Sequence, residues 1–273
     1  MDLSSCFYTK IMGILNLAPD SFYTNSIRET NQNFSFKEYK NADIIDIGCE
    51  SSRPGANPLP EKDELDRLTG FLCHISKIKK TFSIDTYKPA VAKFALENGF
   101  NMINDIKGGG ENGEMFKIAA EYDCPIVVMH IKGQPSNMQD KPFYDDIIEE
   151  LLNYFEMKLN LAKEIGLEDK QIILDPGIGF GKRISDNDMI LNRISDLKQF
   201  GYPILIGLSR KSFLCTDDDS AEDRLPATLG ATAIAINNGA DIIRVHDMDE
   251  SYKMATVISR ILQYSKIKKE HAN

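Results

Sequence analysis

Cysteine is too sparse and too scattered to organise this chain. Its five, Cys6, Cys49, Cys73, Cys124 and Cys215, make no Cys-x-x-Cys pair and no metal-ligand spacing. An odd number so placed speaks against a disulfide framework and fits a reducing cytoplasm. Basic residues are outnumbered, 32 Lys and Arg against 41 Asp and Glu, for a formal net charge of -9. That balance argues against a nucleic-acid binder and against a membrane-surface protein. No apolar run is long enough to span a bilayer. Met1 to Lys10 carries no basic region ahead of an apolar stretch, so no secretory signal is expected. Linkers, low-complexity segments and composition shifts are missing as well. The 273 residues are therefore expected to form a single domain.

What the chain does have is an alternation. Short apolar runs, each followed by an amphipathic stretch, recur at Ile11–Leu17, Asp43–Gly48, Thr81–Asp85, Met102–Ile106, Pro125–His130, Ile172–Asp175, Pro203–Leu208 and Asp241–Val245. They are near-continuous rather than alternating, as strands buried on both faces should be. Helices are predicted at Pro89–Gly99, with Val91, Phe94 and Ala95 on one face, and at Ile147–Gly166, where acids precede the start and a glycine marks the stop. Ala227–Gly239 follows Pro226, a residue suited to a first helical turn. The crossover at Thr24–Ala42 is polar, and its helix is expected to be short. Length and an unbroken repeat favour a closed α/β (β/α)8 TIM barrel over a doubly wound sheet.

In such a barrel the chemistry collects where strands end and the following loops begin. All eight expected strands end in Asn, Asp, Lys, Arg or His: Asn16, Asp46, Asp85, Asn104 with Asp105, His130, Asp175, Arg210 with Lys211, and Arg244 with His246 and Asp247. Asp85, Asn104 and Asp175 offer acceptors and an amide that suit a heterocycle edge with adjacent N–H donors. Lys211, Arg244, His246 and Arg53 offer positive charge for an anion. The string Gly177-Ile178-Gly179-Phe180-Gly181-Lys182 echoes nucleotide-binding loops, but its helix signal begins only past Ser185, so NAD and ATP are rejected. His130 reads as a hydrogen-bonding residue of the barrel top, and Asp105 and Asp247 equally well as turn residues. Cys49 reads as a small buried residue, Lys182 and Arg210 as solvated. No Ser-His-Asp or Cys-His constellation is evident.

Read in order, these strand ends resemble the dihydropteroate synthase family. The matching strings include Met12-Gly13-Ile14-Leu15-Asn16 with Pro19-Asp20-Ser21-Phe22, Glu50-Ser51-Ser52-Arg53-Pro54-Gly55, Ser83-Ile84-Asp85-Thr86 and Ile103-Asn104-Asp105-Ile106. Val128-Met129-His130, Leu174-Asp175-Pro176-Gly177, Gly207-Leu208-Ser209-Arg210-Lys211-Ser212-Phe213 and Arg244-Val245-His246-Asp247 complete the series. The resemblance implies a transferase joining a pterin pyrophosphate to p-aminobenzoate. It would place the pterin against Asp85, Asn104, Asp175 and Lys211, with Met129 packed on the ring. Arg244 and His246, with Asn16, would hold the pyrophosphate, and Asn16 would contact Mg2+. Ser52, Arg53, Pro54, Phe180, Lys211 and Ser212 would form the p-aminobenzoate pocket, Ser212 near a helix start that receives a carboxylate well. A homodimer and sensitivity to sulfonamides are implied in the same way.

The first loop departs from the family pattern. Ala18 replaces the usual Thr, and Thr24-Asn25-Ser26 stand where Asp-Gly-Gly is expected; Ser52 for Thr keeps the hydroxyl. Three readings follow: an active synthase, a pterin-binding barrel with impaired turnover and a binding or regulatory role, and a methyltetrahydrofolate–corrinoid methyltransferase. Arg53-Pro54-Gly55, Ser209-Arg210-Lys211 and the pair Arg244 and His246 argue against the third.

Overall fold

A computed structural model of the protein describes residues 8–17, 34–51, 53, 55–215 and 220–270. Eight parallel strands run β1 Lys10–Asn16, β2 Ile44–Gly48, β3 Thr81–Asp85, β4 Met102–Asp105, β5 Ile126–Met129, β6 Ile172–Asp175, β7 Leu205–Ile206 and β8 Ile242–Val245. They pair in the order β6-β5-β4-β3-β2-β1-β8-β7, and a parallel bridge between Leu174 and Ile204 joins the two ends. The sheet closes on itself, which removes both edges. Helices α1 Glu61–Ile75, α2 Pro89–Glu97, α3 Glu114–Glu121, α4 Ile147–Ile165, α5 Ile184–Asn192, α6 Ile194–Leu197, α7 Leu225–Asn237 and α8 Met248–Glu270 lie between and after the strands. This is the (β/α)8 TIM barrel expected from the alternation. Among the described residues no helix is long and apolar enough to cross a membrane.

Local chemistry sets the boundaries. The α4 helix starts because the Asp146 carboxylate accepts from the N–H groups of Ile148 and Glu149, two donors no helical carbonyl can satisfy. It stops at Gly166, whose φ of 100° continues no right-handed helix. Between these ends Ile148, Leu151, Phe155, Leu159 and Ala162 share the buried face; covering a side chain as large as Phe155 contributes about 1.5–3 kcal/mol. Two cores result. Met12, Ile44, Met102, Val127, Ile173, Leu205 and Ile242 form a layer inside the barrel, while a larger cluster fills the shell between strands and helices.

Three expectations are adjusted. The seventh strand is two residues long rather than six, because Pro203 has no N–H to give and the Ile204 N–H is taken by the Asp241 carboxylate at 2.7 Å. The first crossover contains one 3-10 turn at Phe36–Tyr39; residues 18–33, including Ala18, Asp20, Thr24, Asn25 and Ser26, lie outside the described residues. The α5 helix begins at Ile184, slightly ahead of the expected position, and α7 begins at Leu225 with Pro226 in its first turn.

Candidate active site

Side chains alternate across a strand, so the residue two positions beyond each member of the inner layer also faces the barrel interior. Two residues after Ile44, Met102, Val127, Ile173 and Ile242 stand Asp46, Asn104, Met129, Asp175 and Arg244. The apolar layer is thus the floor of a polar mouth. Register brings Gly48 beside Asp85, Asp85 beside Asn104 and Met129 beside Asp175. A Cβ at Gly48 would stand 3.4 Å from Asn16 Oδ1 and 3.5 Å from Asp85 Oδ2, so glycine keeps the space between those two groups open.

Arg244 organises one side. Its Nε donates to Asp46 Oδ2 at 2.6 Å, and its Nη2 donates to Asp85 Oδ2 at 2.6 Å. Asn104 Nδ2 donates to the same Asp46 oxygen at 2.9 Å. Asp46 is fully buried, and its other oxygen and the neighbouring Ser83 hydroxyl have no hydrogen-bond partner among the described residues. Burial pushes Asp85 up to about 7, with Arg244 opposing the rise and Asp46 adding to it.

Asp175 and Lys211 organise the other side. Asp175 is buried, and its Oδ1 accepts the Gly177 N–H at 2.7 Å. Burial raises its pKa, opposed by that hydrogen bond and by the Lys211 charge. Gly177 has φ of 67°, and a Cβ there would lie 1.9 Å from the His130 carbonyl oxygen, so no other residue fits this turn. Lys211 Nζ donates to the Ile178 carbonyl and lies 4.5 Å from the centroid of the Phe180 ring. Desolvation pulls Lys211 down to about 8, while Asp175 favours its charge.

The remaining predicted residues divide. Asn16 ends β1, and Met129 is buried at the end of β5. Arg53 is exposed, whereas Ser52 and Pro54 lie outside the described residues. Ser212 opens only a single 3-10 turn, Ser212–Leu214, so the helix-start argument for a carboxylate does not hold there; the hydroxyl itself remains. His246 lies at the exposed rim, where its Nδ1 is 3.0 Å from Ser209 Oγ. Desolvation by the surrounding protein and the Arg244 guanidinium lower its pKa from the ordinary value. The Arg244 Nε and Nη2 are directed at Asp46 and Asp85. Lys182 and Arg210 are corrected: Lys182 is buried, because its side chain folds back beneath its own loop, and Arg210 forms a two-point pair with Asp247. His130, Asp105 and Cys49 have the structural surroundings anticipated for them; both Asp105 oxygens accept backbone N–H groups, of Lys107 and Gly109. Sequence reasoning left Asp46 without a role. Its signal was its place two residues after an inward Ile44.

A closed barrel whose mouth arrays carboxylates and an amide around one guanidinium and one ammonium defines a TIM-barrel protein with a polar mouth suited to a flat, donor-rich heterocycle. Residues 12–246 match the family described as pterin binding enzyme. The chain is 39% identical over 256 residues to the dihydropteroate synthase of Synechocystis sp., covering 91% of this chain and 89% of that one. It resembles the crystal structure of Yersinia pestis dihydropteroate synthase in complex with a sulfonamide drug, with TM-score 0.86, 33% identity and 96% of both chains covered. It also resembles the Xanthomonas albilineans dihydropteroate synthase with 4-aminobenzoic acid, with TM-score 0.85, 31% identity and 93% of both chains covered. The chain therefore belongs to the dihydropteroate synthase family of pterin binding enzymes.

Proposed function

We propose that this chain is a transferase that condenses 6-hydroxymethyl-7,8-dihydropterin pyrophosphate with p-aminobenzoate, giving 7,8-dihydropteroate and pyrophosphate in folate biosynthesis. The observation that carries this is the mouth itself: Asp85, Asn104 and Asp175 converge with Lys211 above an apolar floor. That set complements the adjacent N–H donors and ring acceptors of a pterin, and Met129 supplies an apolar face for its ring.

The chemistry follows from the groups present. The C–O bond to pyrophosphate breaks, leaving a resonance-stabilised pterin cation, and the arylamine lone pair of p-aminobenzoate forms the new C–N bond. The amine then loses a proton to solvent or to the departing anion. The carboxylate of Asp175 favours the cationic half, and Arg244 and the His246 N–H favour the anionic half. An arylamine is neutral and nucleophilic at pH 7, so no strong general base is needed. The assay is pyrophosphate release from the pterin pyrophosphate, dependent on p-aminobenzoate and inhibited competitively by a sulfonamide. Release that does not depend on p-aminobenzoate, or none at all, refutes this function; pterin binding without release would favour the binding or regulatory barrel.

Mg2+ is proposed as the metal. Asn16 offers a neutral amide oxygen at the barrel mouth, and among the described residues no group of three His, Cys, Asp or Glu is placed to hold an ion. Such a donor set fits an ion that enters with the diphosphate and keeps several waters. When bound there, Mg2+ would draw charge from the leaving oxygens. EDTA is expected to abolish turnover and leave the melting temperature unchanged; a large fall in melting temperature would reveal a structural metal instead.

The Asp85 shift gives a pH dependence. An ionised Asp85 accepts the pterin donors, so pterin affinity should weaken as the pH drops below about 7. Titration calorimetry across that range should show the slope in the native protein and its loss in Asp85→Asn; equal slopes would refute the role. For folding the sign is opposite. The group's value rises from 3.8 to about 7, so its stabilising contribution is complete below pH 3.8 and is lost as the pH rises through 7.

A homodimer is proposed as well. Ile234 on α7 and Tyr252, Val257 and Ile261 on α8 are large, apolar and exposed. A monomer in sedimentation equilibrium would refute it. The free thiols of Cys49, Cys73, Cys124 and Cys215 support a reducing, cytoplasmic location, to be checked by fractionation.

A further inference from the structure

Lys182 is a buried cation for which the reaction proposed above has no use. It is 3% exposed and forms no ion pair among the described residues. Its Nζ faces three acceptors instead: His130 Nδ1 at 2.9 Å, the Phe180 carbonyl at 3.1 Å and the His130 carbonyl at 3.3 Å. An ammonium has three protons, and this arrangement uses them all. Such burial is costly, and a methionine of similar length would fill the space without that cost. Desolvation accordingly pulls Lys182 down to about 7, with Asp175 favouring its charge. Burial and the Lys182 charge keep the His130 ring neutral, and with its proton on Nε2, the nitrogen facing Glu150, its Nδ1 accepts from Lys182.

The partners of Lys182 show what it holds. Phe180 ends the turn that begins at Gly177, its N–H donating to the Gly177 carbonyl at 3.1 Å. That loop is also fastened by Gln139, which donates to the Gly179 carbonyl, and by Tyr144, which donates to the Gly181 carbonyl, both at 2.8 Å. Between these two in sequence lies the carbonyl of Phe180, which accepts from Lys182 Nζ. The Phe180 ring, in turn, lies against Lys211.

We propose that Lys182 is a positioning residue for the p-aminobenzoate half of the site: its ammonium fastens the Phe180 carbonyl to the end of β5 and so holds the Phe180 ring against Lys211. The proposal rests on the function proposed above and adds a residue that acts on one substrate only.

The test compares the full-length protein with Lys182→Met and Lys182→Gln by steady-state pyrophosphate release, pterin titration calorimetry and thermal melting. Lys182→Met should raise the KM for p-aminobenzoate about tenfold, with kcat and pterin Kd within about twofold. Lys182→Gln keeps an amide donor for the Phe180 carbonyl and should recover most of that loss. Should Lys182→Met fail to fold, a cycle with Lys182→Leu decides: Lys182→Leu and Phe180→Ala should each raise the same KM, and the two together should raise it no further than one alone. A normal KM for p-aminobenzoate in a folded Lys182→Met protein, an equal loss of pterin affinity, or additive effects in the cycle would overturn the proposal. If the native protein releases no pyrophosphate, the function falls, and this role with it. Normal native turnover with unaffected variants overturns this role alone.

Discussion

Replacing Asp175 by Asn is expected to weaken pterin binding by about 2–5 kcal/mol, the scale for removing one charge from a desolvated pair. The fold should survive, because an amide oxygen can still accept the Gly177 N–H that Asp175 Oδ1 now accepts. What changes is the charge and the donor pattern. The new amide presents an N–H group where a pterin presents donors of its own, and Lys211 loses the carboxylate that favours its protonated state. Two effects therefore act on one ligand, and turnover should fall further than binding because the cation of the reaction loses a carboxylate that favours it. Calorimetric titration with a pterin and single-turnover kinetics measure the two separately. Unchanged pterin affinity with a normal melting temperature would show that Asp175 serves the turn alone.

The second large effect concerns Arg244. Its guanidinium joins Asp46, which is fully buried, to Asp85 at the mouth, so Arg244→Met leaves two carboxylates together without a countercharge. Breaking a buried pair in this way costs about 3–5 kcal/mol. Loss of the group that steadies the leaving anion should remove turnover as well. The two consequences can be parted. Arg244→Met combined with Asp46→Asn removes one of the two uncompensated charges, the fully buried one, and should recover part of the stability in denaturant unfolding, without recovering pyrophosphate release. Arg244→Lys should rescue neither fully, because an ammonium cannot donate in two fixed directions as the guanidinium does. If the double variant turns over normally, Arg244 acts only through stability.

Much of this site was legible from residue order. Asp85, Asn104, Met129, Asp175 and Arg244 lie at strand ends and Lys211 in the loop after β7, and in a parallel barrel those ends and loops share one rim. The roles of Asp46 and Lys182 were not legible. Asp46 is a strand residue like its neighbours, and its partner Arg244 is 198 residues away. Lys182 follows a glycine-rich run that reads as a solvated loop, and only the fold-back of that loop onto β5 buries it.

The sequence by itself determined the alternation, the helix stops and the chemical groups available at each strand end, because these depend on side chains within a few residues of one another. Apolar runs buried on both faces demand a parallel sheet covered by helices, and the unbroken repeat asks for closure. Tertiary structure alone decided which of those groups meet. Closure through Leu174 and Ile204 sets the barrel's width, and register sets Asp85 beside Asn104 and Gly48. Those two quantities place the Arg244 fork on Asp46 and Asp85, leave His246 at the rim, and put Lys182 within reach of the Phe180 carbonyl. Distances across a barrel are set by all eight strands at once, and no local pattern encodes them.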